Sequence, residues 1–260
     1  MTTHSPSVVR AMPADTKLIW MKKGKVEDNP EGARAQMGWG LLDKTILLLS
    51  EDKNTDLLRK IISQWPEIDR KVAVWPLNGV RTLPSADSLK GMNVIFGETL
   101  KIALHRDGDF MTDEEKGSWS KSYLDKDIAV WITKGSDIEA YFASTEVLAA
   151  LEFEEPDTIL SDALGKIEDW QVTFCGKRNE INRNKTIYPD GAGTPTNEGV
   201  LAELCEENPI GKFVGKTAIK KIRAVLQERG IENVSSFGKR IPQGCEIAPD
   251  LKMLLNDLIG

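Results

Sequence analysis

From Lys44 onward, short continuous apolar runs alternate with stretches whose apolar residues recur every three to four positions. Thr45–Ser50 (TILLLS) is the first run, of the kind that forms a central parallel strand covered on both faces. Leu57, Leu58, Ile61, Ile62 and Trp65 follow at helical spacing, with Asn54 or Thr55 as N-cap and Pro66 as the stop. Lys71–Leu77 (KVAVWPL) predicts a second strand and Asn78-Gly79 a turn. Ser85–Leu100 predicts a helix, Lys101–His105 (KIALH) a third strand, Thr112–Lys126 a polar helix capped by Thr112, and Ile128–Thr133 (IAVWIT) a fourth strand. This alternation predicts an α/β fold, a Rossmann-like central parallel sheet flanked by helices.

Beyond Asp137 the pattern predicts helices only. Ile138–Glu152 and Thr158–Lys185 read as helical, and Thr186–Thr196 as a loop rich in Gly and Pro. Phe213–Arg229 places Val214, Ala218, Ile222, Val225 and Leu226 on one face, with Gly230 as its stop. Leu251, Leu254, Leu255 and Leu258 predict a short C-terminal helix. Residues 1–43 are mixed and broken by Pro and Gly, with one short strand expected at Lys17–Met21 before the turn-like Lys22–Lys25. The chain thus divides into 1–43, a sheet-forming stretch 44–142, and a helical extension 143–260.

A chain of 260 residues that is 40% hydrophobic is long and apolar enough for a sizeable core. It contains no apolar run near the ~18 residues a membrane span needs. Met1–Thr16 lacks the apolar stretch of a secretory signal, so a cytoplasmic protein is expected. Cys175, Cys205 and Cys245 are too few and too scattered for a disulfide framework, and with only His4 and His105 they do not suggest a zinc site. A net charge of −6 does not advertise nucleic-acid binding, but local charge decides that question.

The local charge is informative. In open α/β sheets, ligands bind beyond the carboxyl ends of the strands. Glu51 follows the first predicted strand directly, Asp107 and Asp109 follow the third, and Asp137 and Glu139 follow the fourth. Asp-Gly-Asp alone is a common turn former. The ordered set, with a strand and helix between Glu51 and Asp107, points instead to a hard divalent cation. If strand geometry persists, Asp107 and Asp109 point the same way and converge on it. Without a cation the clustered carboxylates would repel one another and their pKa values would rise.

A strand ending in Glu (LLLSED) and a later strand ending in Asp-x-Asp (HRDGDF) resemble the TOPRIM domain of topoisomerases, primases and nucleases. Asp137–Phe142 (DIEAYF) is similar to the segment after the fourth strand in the OLD (overcoming lysogenisation defect) nucleases, and places Glu139 and Tyr141 on that pattern. The resemblance covers about Lys44–Phe142. It implies Mg²⁺ or Mn²⁺ held by Glu51, Asp107 and Asp109, with Asp52, Asp56 and Glu139 as further metal candidates. The family commonly has Glu-Gly and a second acid four residues after the Glu. Here Asp52 replaces that Gly and Thr55 takes the fourth position, with Asp56 next. Whether Asp56 serves a second metal or complements the dipole of the following helix stays open.

Thr3-His4-Ser5-Pro6 is similar to the histidine switch that closes an ABC- or SMC-type ATPase domain. OLD proteins carry such an ATPase before the TOPRIM domain, so residues 1–43 are expected to be its tail or a linker, and the chain a C-terminal piece of a longer protein. Gly211 to Thr217 (GKFVGKT) is not a P-loop, because three residues separate its glycines where four are needed. The family resemblance implies a different use for Lys216, offsetting phosphate charge near the metals. Lys212, Lys220 and Lys221 are expected to contact the DNA backbone. The second basic run, Lys177–Lys185, offers a further set of backbone contacts but reads more readily as a solvated helix face.

Together these residues suggest a Mg²⁺- or Mn²⁺-dependent endodeoxyribonuclease acting in antiphage defence, oligomeric and regulated by an ATPase domain or subunit. The catalytic set is Glu51, Asp107, Asp109 and Lys216. A non-catalytic TOPRIM module for nucleic-acid binding or assembly is the alternative, and a primase-like nucleotidyl transferase a third reading.

Overall fold

The computed structural model of the chain describes residues 20–22, 25–27, 44–96, 100–206, 208–231, 234 and 237–260. The segment resembling a histidine switch, and with it most of the expected ATPase tail, lies outside the described residues. Within that region a short antiparallel pair is described, β1 (Trp20–Lys22) and β2 (Lys25–Glu27), with Lys22 opposite Lys25.

The main body is a four-stranded parallel sheet. Its strands are β3 (Ile46–Ser50), β4 (Val72–Pro76), β5 (Lys101–Arg106) and β6 (Ala129–Ile132), in the spatial order β4-β3-β5-β6. All five residues of β3 are buried, as its unbroken apolar run requires. Chain order reverses between β3 and β5, so the topological switch point lies where Glu51 and Asp107 emerge. Register fixes this closely: Ser50 pairs with His105, and the Glu51 N–H donates to the His105 carbonyl at 3.1 Å.

Side chains alternate across the sheet. Ile46, Leu48 and Ala103 join one core, and Leu47, Leu49, Ile102 and Leu104 join the other. Helices α1 (Asp56–Ser63) and α2 (Pro66–Lys71) join β3 to β4, and α3 (Ala86–Phe96) joins β4 to β5. Helix α4 (Asp113–Leu124) lies between β5 and β6. It opens with a capping box, in which Thr112 accepts from the Glu115 N–H and Glu115 accepts from the Thr112 N–H. The helical extension comprises α5 (Thr145–Ala150), α6 (Pro156–Gly165), α7 (Trp170–Asn182), α8 (Asn197–Glu206), α9 (Gly215–Glu228) and α10 (Pro249–Ile259). Its apolar faces, including Leu160, Ile222, Leu226, Leu251 and Leu255, share one core with Ile46 and Leu48 of the sheet. No helix among the described residues is long and apolar enough to cross a membrane.

Four local expectations are corrected. Pro66 does not merely end a helix; it opens α2, because proline suits the first helical position. Ile138–Glu152 is a 3₁₀ segment, Ile138–Phe142, followed by α5, broken where the Ser144 hydroxyl caps Val147. Thr158–Lys185 is two helices, α6 and α7, separated after Gly165. Helix α8 was not expected, because its apolar periodicity is weak and only Val200 is buried.

Candidate metal centre

The candidate site is assembled from the carboxyl ends of β3 and β5, the loop after β6, the middle of α7 and the start of α9. Asp107 leaves β5 beside Gly108, and the strand geometry does not persist. Asp109 and Phe110 turn into the left-handed region, with φ of 47° and 69°. The expectation that Asp107 and Asp109 align through strand alternation is therefore corrected: a tight turn brings them together. Three contacts over-determine that turn. The Gly108 N–H donates to Thr133 Oγ1 at 2.7 Å, the Asp109 N–H donates to the Ser136 carbonyl at 3.0 Å, and the Phe110 carbonyl accepts from Arg178 at 3.1 Å. Gly108 is required by space, because a Cβ there would lie 2.2 Å from the Gly135 carbonyl oxygen. Left-handed geometry at two successive non-glycine residues is strain of the sort that persists at functional sites.

The electrostatics follow from burial. Burial raises the Glu51 carboxyl to about 7, and Asp109 adds to the rise. Burial raises Asp107 to about 9, reinforced by Asp52, Glu51, Asp137 and Asp109. Asp52, Asp137 and Glu139 are also raised, each chiefly by burial. His105 is fully buried and pushed down to about 3, by burial first and Lys216 second. Among the described residues, Glu51 Oε2, Asp107 Oδ1 and His105 Nε2 are buried without a hydrogen-bond partner. Buried polar atoms are rarely left so, and orphaned oxygens on clustered carboxyls fit a divalent cation.

The cations come from β5, where buried Arg106 lowers the Glu51 pKa against its overall rise, and from two helices. Lys216 on α9 lies 3.9 Å from Glu139, and Glu139, Asp107, Asp52 and Asp137 all raise its pKa against the opposing effect of burial. Lys177 on α7 reaches Asp109 at 2.9 Å. Helix α9 is docked on the site by Asp137, whose Oδ2 accepts from the Lys216 N–H at 3.2 Å, and by Ser136, whose Oγ accepts from the Gly215 N–H at 2.9 Å. The close approach demands glycine, since a Cβ on Gly215 would sit 2.0 Å from Asp137 Oδ1 and 2.2 Å from the Ala140 nitrogen. Gly215→Ala is accordingly expected to cost about 3 kcal/mol in urea denaturation. Gly91→Ala and Gly117→Ala, whose Cβ meets nothing within 4 Å, are expected to be neutral or slightly stabilising. Equal effects at all three positions would refute this account of α9.

Glu51, Asp52, Asp107, Asp109, Glu139 and Lys216 are thus brought together. Asp56 is exposed in the first turn of α1, where it complements the helix dipole, and it lines a cleft that also holds Asp52, Glu139 and Lys216. Lys212 is turned elsewhere, lying over the Trp170 ring at 4.8 Å. Lys220 is exposed on α9, and Lys221 is half-buried there. The basic run 177–185 is not a simple solvated face, because Lys177 enters the acidic cluster and Arg178 is wholly buried. Sequence reasoning missed Lys177, Arg178 and His105 as contributors. The first two lie far from the acids in sequence, and His105 was hidden inside an apolar strand.

The raised acids have a measurable consequence for the metal-free protein. Asp107 and Glu51 bind protons more tightly folded than unfolded, so folding takes up protons between the unfolded and folded pKa values. His105 acts oppositely, but only between about 3 and its ordinary value of 6.5. Above pH 6.5 the acids act alone. The metal-free protein is expected to lose stability from pH 6.5 to about 9, by up to ~1.4 kcal/mol per pH unit per proton. Saturating Mg²⁺ or Mn²⁺ should flatten that slope. Thermal melts in EDTA across this range check it, and a rising melting temperature would contradict it.

Comparison of the chain with protein-family models, with curated proteins and with solved structures finds no match in any of the three.

Proposed function

We propose that this chain is a metal-dependent endodeoxyribonuclease of the TOPRIM type, related to the OLD nucleases. The observation that carries the reading is the pair of buried carboxyls, Glu51 and Asp107, set on either side of the sheet's switch point with unpartnered oxygens. Asp107, Asp109 and Glu51 would hold Mg²⁺ or Mn²⁺, with Asp52 and Glu139 beside them. When bound, the ion would polarise the scissile phosphate and offset its developing charge. Glu51 would either bind the ion or act as the general base that takes the proton of the attacking water. The new P–O bond forms as the bond to the leaving oxygen breaks, and that oxygen takes up a proton. Lys216 and Lys177 would stabilise the extra negative charge. Lys220 and Lys221 would track the DNA backbone. An ATPase domain or subunit as regulator, an oligomeric assembly and a role in antiphage defence complete the proposal.

Supercoiled plasmid with Mg²⁺ or Mn²⁺ tests the chemistry. Glu51→Gln and Lys216→Ala are each expected to slow nicking roughly 100- to 1000-fold. Lys216→Ala should still fold, because that side chain is 57% exposed and its attraction to the acids is screened by solvent. Wild-type rates in both variants would sink the assignment. The second reading, a non-catalytic binding module, draws on the Lys177–Asp109 ion pair, which already neutralises one of the acids. It is favoured if the wild type binds DNA but takes up no metal.

A further inference from the structure

His105 is the last residue of β5 to face the core shared with the helical extension, and it is fully buried. Its ring tilts against Trp131, with centroids 4.7 Å apart. Nδ1 lies 2.8 Å from Ser50 Oγ, and the same hydroxyl accepts from the Asp52 N–H at 3.2 Å. A serine oxygen has two lone pairs, so it can accept from both Asp52 N–H and an imidazole Nδ1–H. In that tautomer the Nε2 lone pair is free, and Nε2 has no hydrogen-bond partner among the described residues. Its nearest acid is Asp107, with Oδ1 at 3.8 Å, too far for a hydrogen bond. One ligand atom each from Asp52, His105 and Asp107 lies within 4.8 Å of the others. Ligands about 2.0–2.2 Å from one ion stand roughly 3–4 Å apart. The His105–Asp107 distance fits that spacing, and half-buried Asp52 is the ligand with room to close on the ion.

We propose that His105 Nε2 is a metal ligand, forming with Asp52 and Asp107 a mixed nitrogen–oxygen site that prefers a first-row transition ion such as Mn²⁺, Co²⁺ or Zn²⁺ over Mg²⁺. The inference rests on the nuclease reading for the ion's role in catalysis and adds the ion's chemical class. Imidazole is a poor ligand for Mg²⁺, which takes oxygen donors and keeps its waters. Ser50 is the positioning residue, because its bond to Nδ1 orients the ring and its oxygen can accept the Nδ1–H that leaves the Nε2 lone pair for an ion. A histidine that served packing alone would leave Nε2 desolvated with nothing in return.

The test uses the full chain and Mn²⁺ alone as probe, read by pulsed electron paramagnetic resonance. Wild-type protein should show ¹⁴N coupling from a directly bound imidazole, replaced by ¹⁵N coupling when histidine is isotopically labelled. The chain has two histidines, His4 and His105; a His4→Ala variant should retain the signal. His105→Gln should lose it and bind Mn²⁺ and Co²⁺ at least 10- to 100-fold more weakly. Its Mg²⁺ affinity, read by competition, should change less than about threefold. Ser50→Ala should keep the nitrogen signal with affinity lowered about tenfold. If His105→Gln fails to fold, the labelled wild type still decides. Bound Mn²⁺ without nitrogen coupling, or no bound Mn²⁺, overturns the proposal. In the first case the nuclease reading stands on Glu51, Asp107 and Asp109. That reading fails separately, on the absence of nicking in Mg²⁺ or Mn²⁺, whatever the spectrum shows.

Discussion

Asp107→Asn is expected to make the metal-free protein more stable and the metal-loaded protein inactive. In the fold the Asp107 carboxyl is surrounded by Asp52, Glu51, Asp137 and Asp109, and burial together with these acids holds its pKa near 9. At pH 8 the wild type either keeps a proton there against its ordinary tendency or buries another negative charge. Both options cost free energy, on the order of 2–4 kcal/mol for a shift of this size after allowing for coupling among the acids. Asparagine has the same shape and no charge. The melting temperature in EDTA is therefore expected to rise by about 5–10 °C for a chain of this size. The same change removes a proposed metal ligand, so plasmid nicking should fall by roughly 10³-fold or more, and added Mg²⁺ or Mn²⁺ should no longer raise the melting temperature. Gain of stability with loss of function is the signature of a charged site maintained for chemistry. An Asp107→Asn protein that melts below the wild type in EDTA at pH 8 would show that the buried charge is not the dominant strain.

The sheet was legible because its signals are local. TILLLS and KIALH are apolar runs of strand length, and both ends of each strand fall within one residue of expectation. The position of Glu51 and Asp107 at the carboxyl ends of their strands then follows from strand alternation, whereas the pairing of β3 with β5 that makes this the switch point is seen only in the fold. Helix breaks were less legible, since they depend on single caps such as Ser144 and on Pro66 acting as a start. The parts of the site supplied from a distance were not legible. Lys177 meets Asp109 across 68 positions of chain, and nothing in KRNEINRNK says which of its cations will be buried. The glycines carry a signal that periodicity ignores. Gly108 lies in the loop just after β5 and Gly215 opens α9, and each marks a place where one backbone passes against another at the site.

Arg178→Met should be the most destabilising of the variants considered, by about 3–5 kcal/mol. Arg178 is completely buried and makes a forked pair with Glu115, at 2.6 Å to Oε2 and 2.7 Å to Oε1. Burial alone would raise the Glu115 pKa; bonds from Arg178, then from Tyr188 and the Thr112 N–H, outweigh it and hold the carboxylate below its usual range. Removing the guanidinium leaves that carboxylate buried in the first turn of α4 with only Tyr188 and the Thr112 N–H to offset its charge. A second change, Glu115→Gln, should recover a large part of the loss, because the cost lies in the orphaned charge and not in the missing methylenes. The damage should also reach the metal centre. Arg178 donates to the Phe110 carbonyl and so helps hold the left-handed turn that carries Asp109, while its neighbour Lys177 pairs with Asp109 itself. Metal affinity should therefore fall in Arg178→Met and stay low in the double variant, which restores charge balance but not the bond to Phe110. Urea denaturation and Mn²⁺ titration separate the two effects. Recovery of both stability and metal affinity in the double variant would show that the turn holds its shape without Arg178.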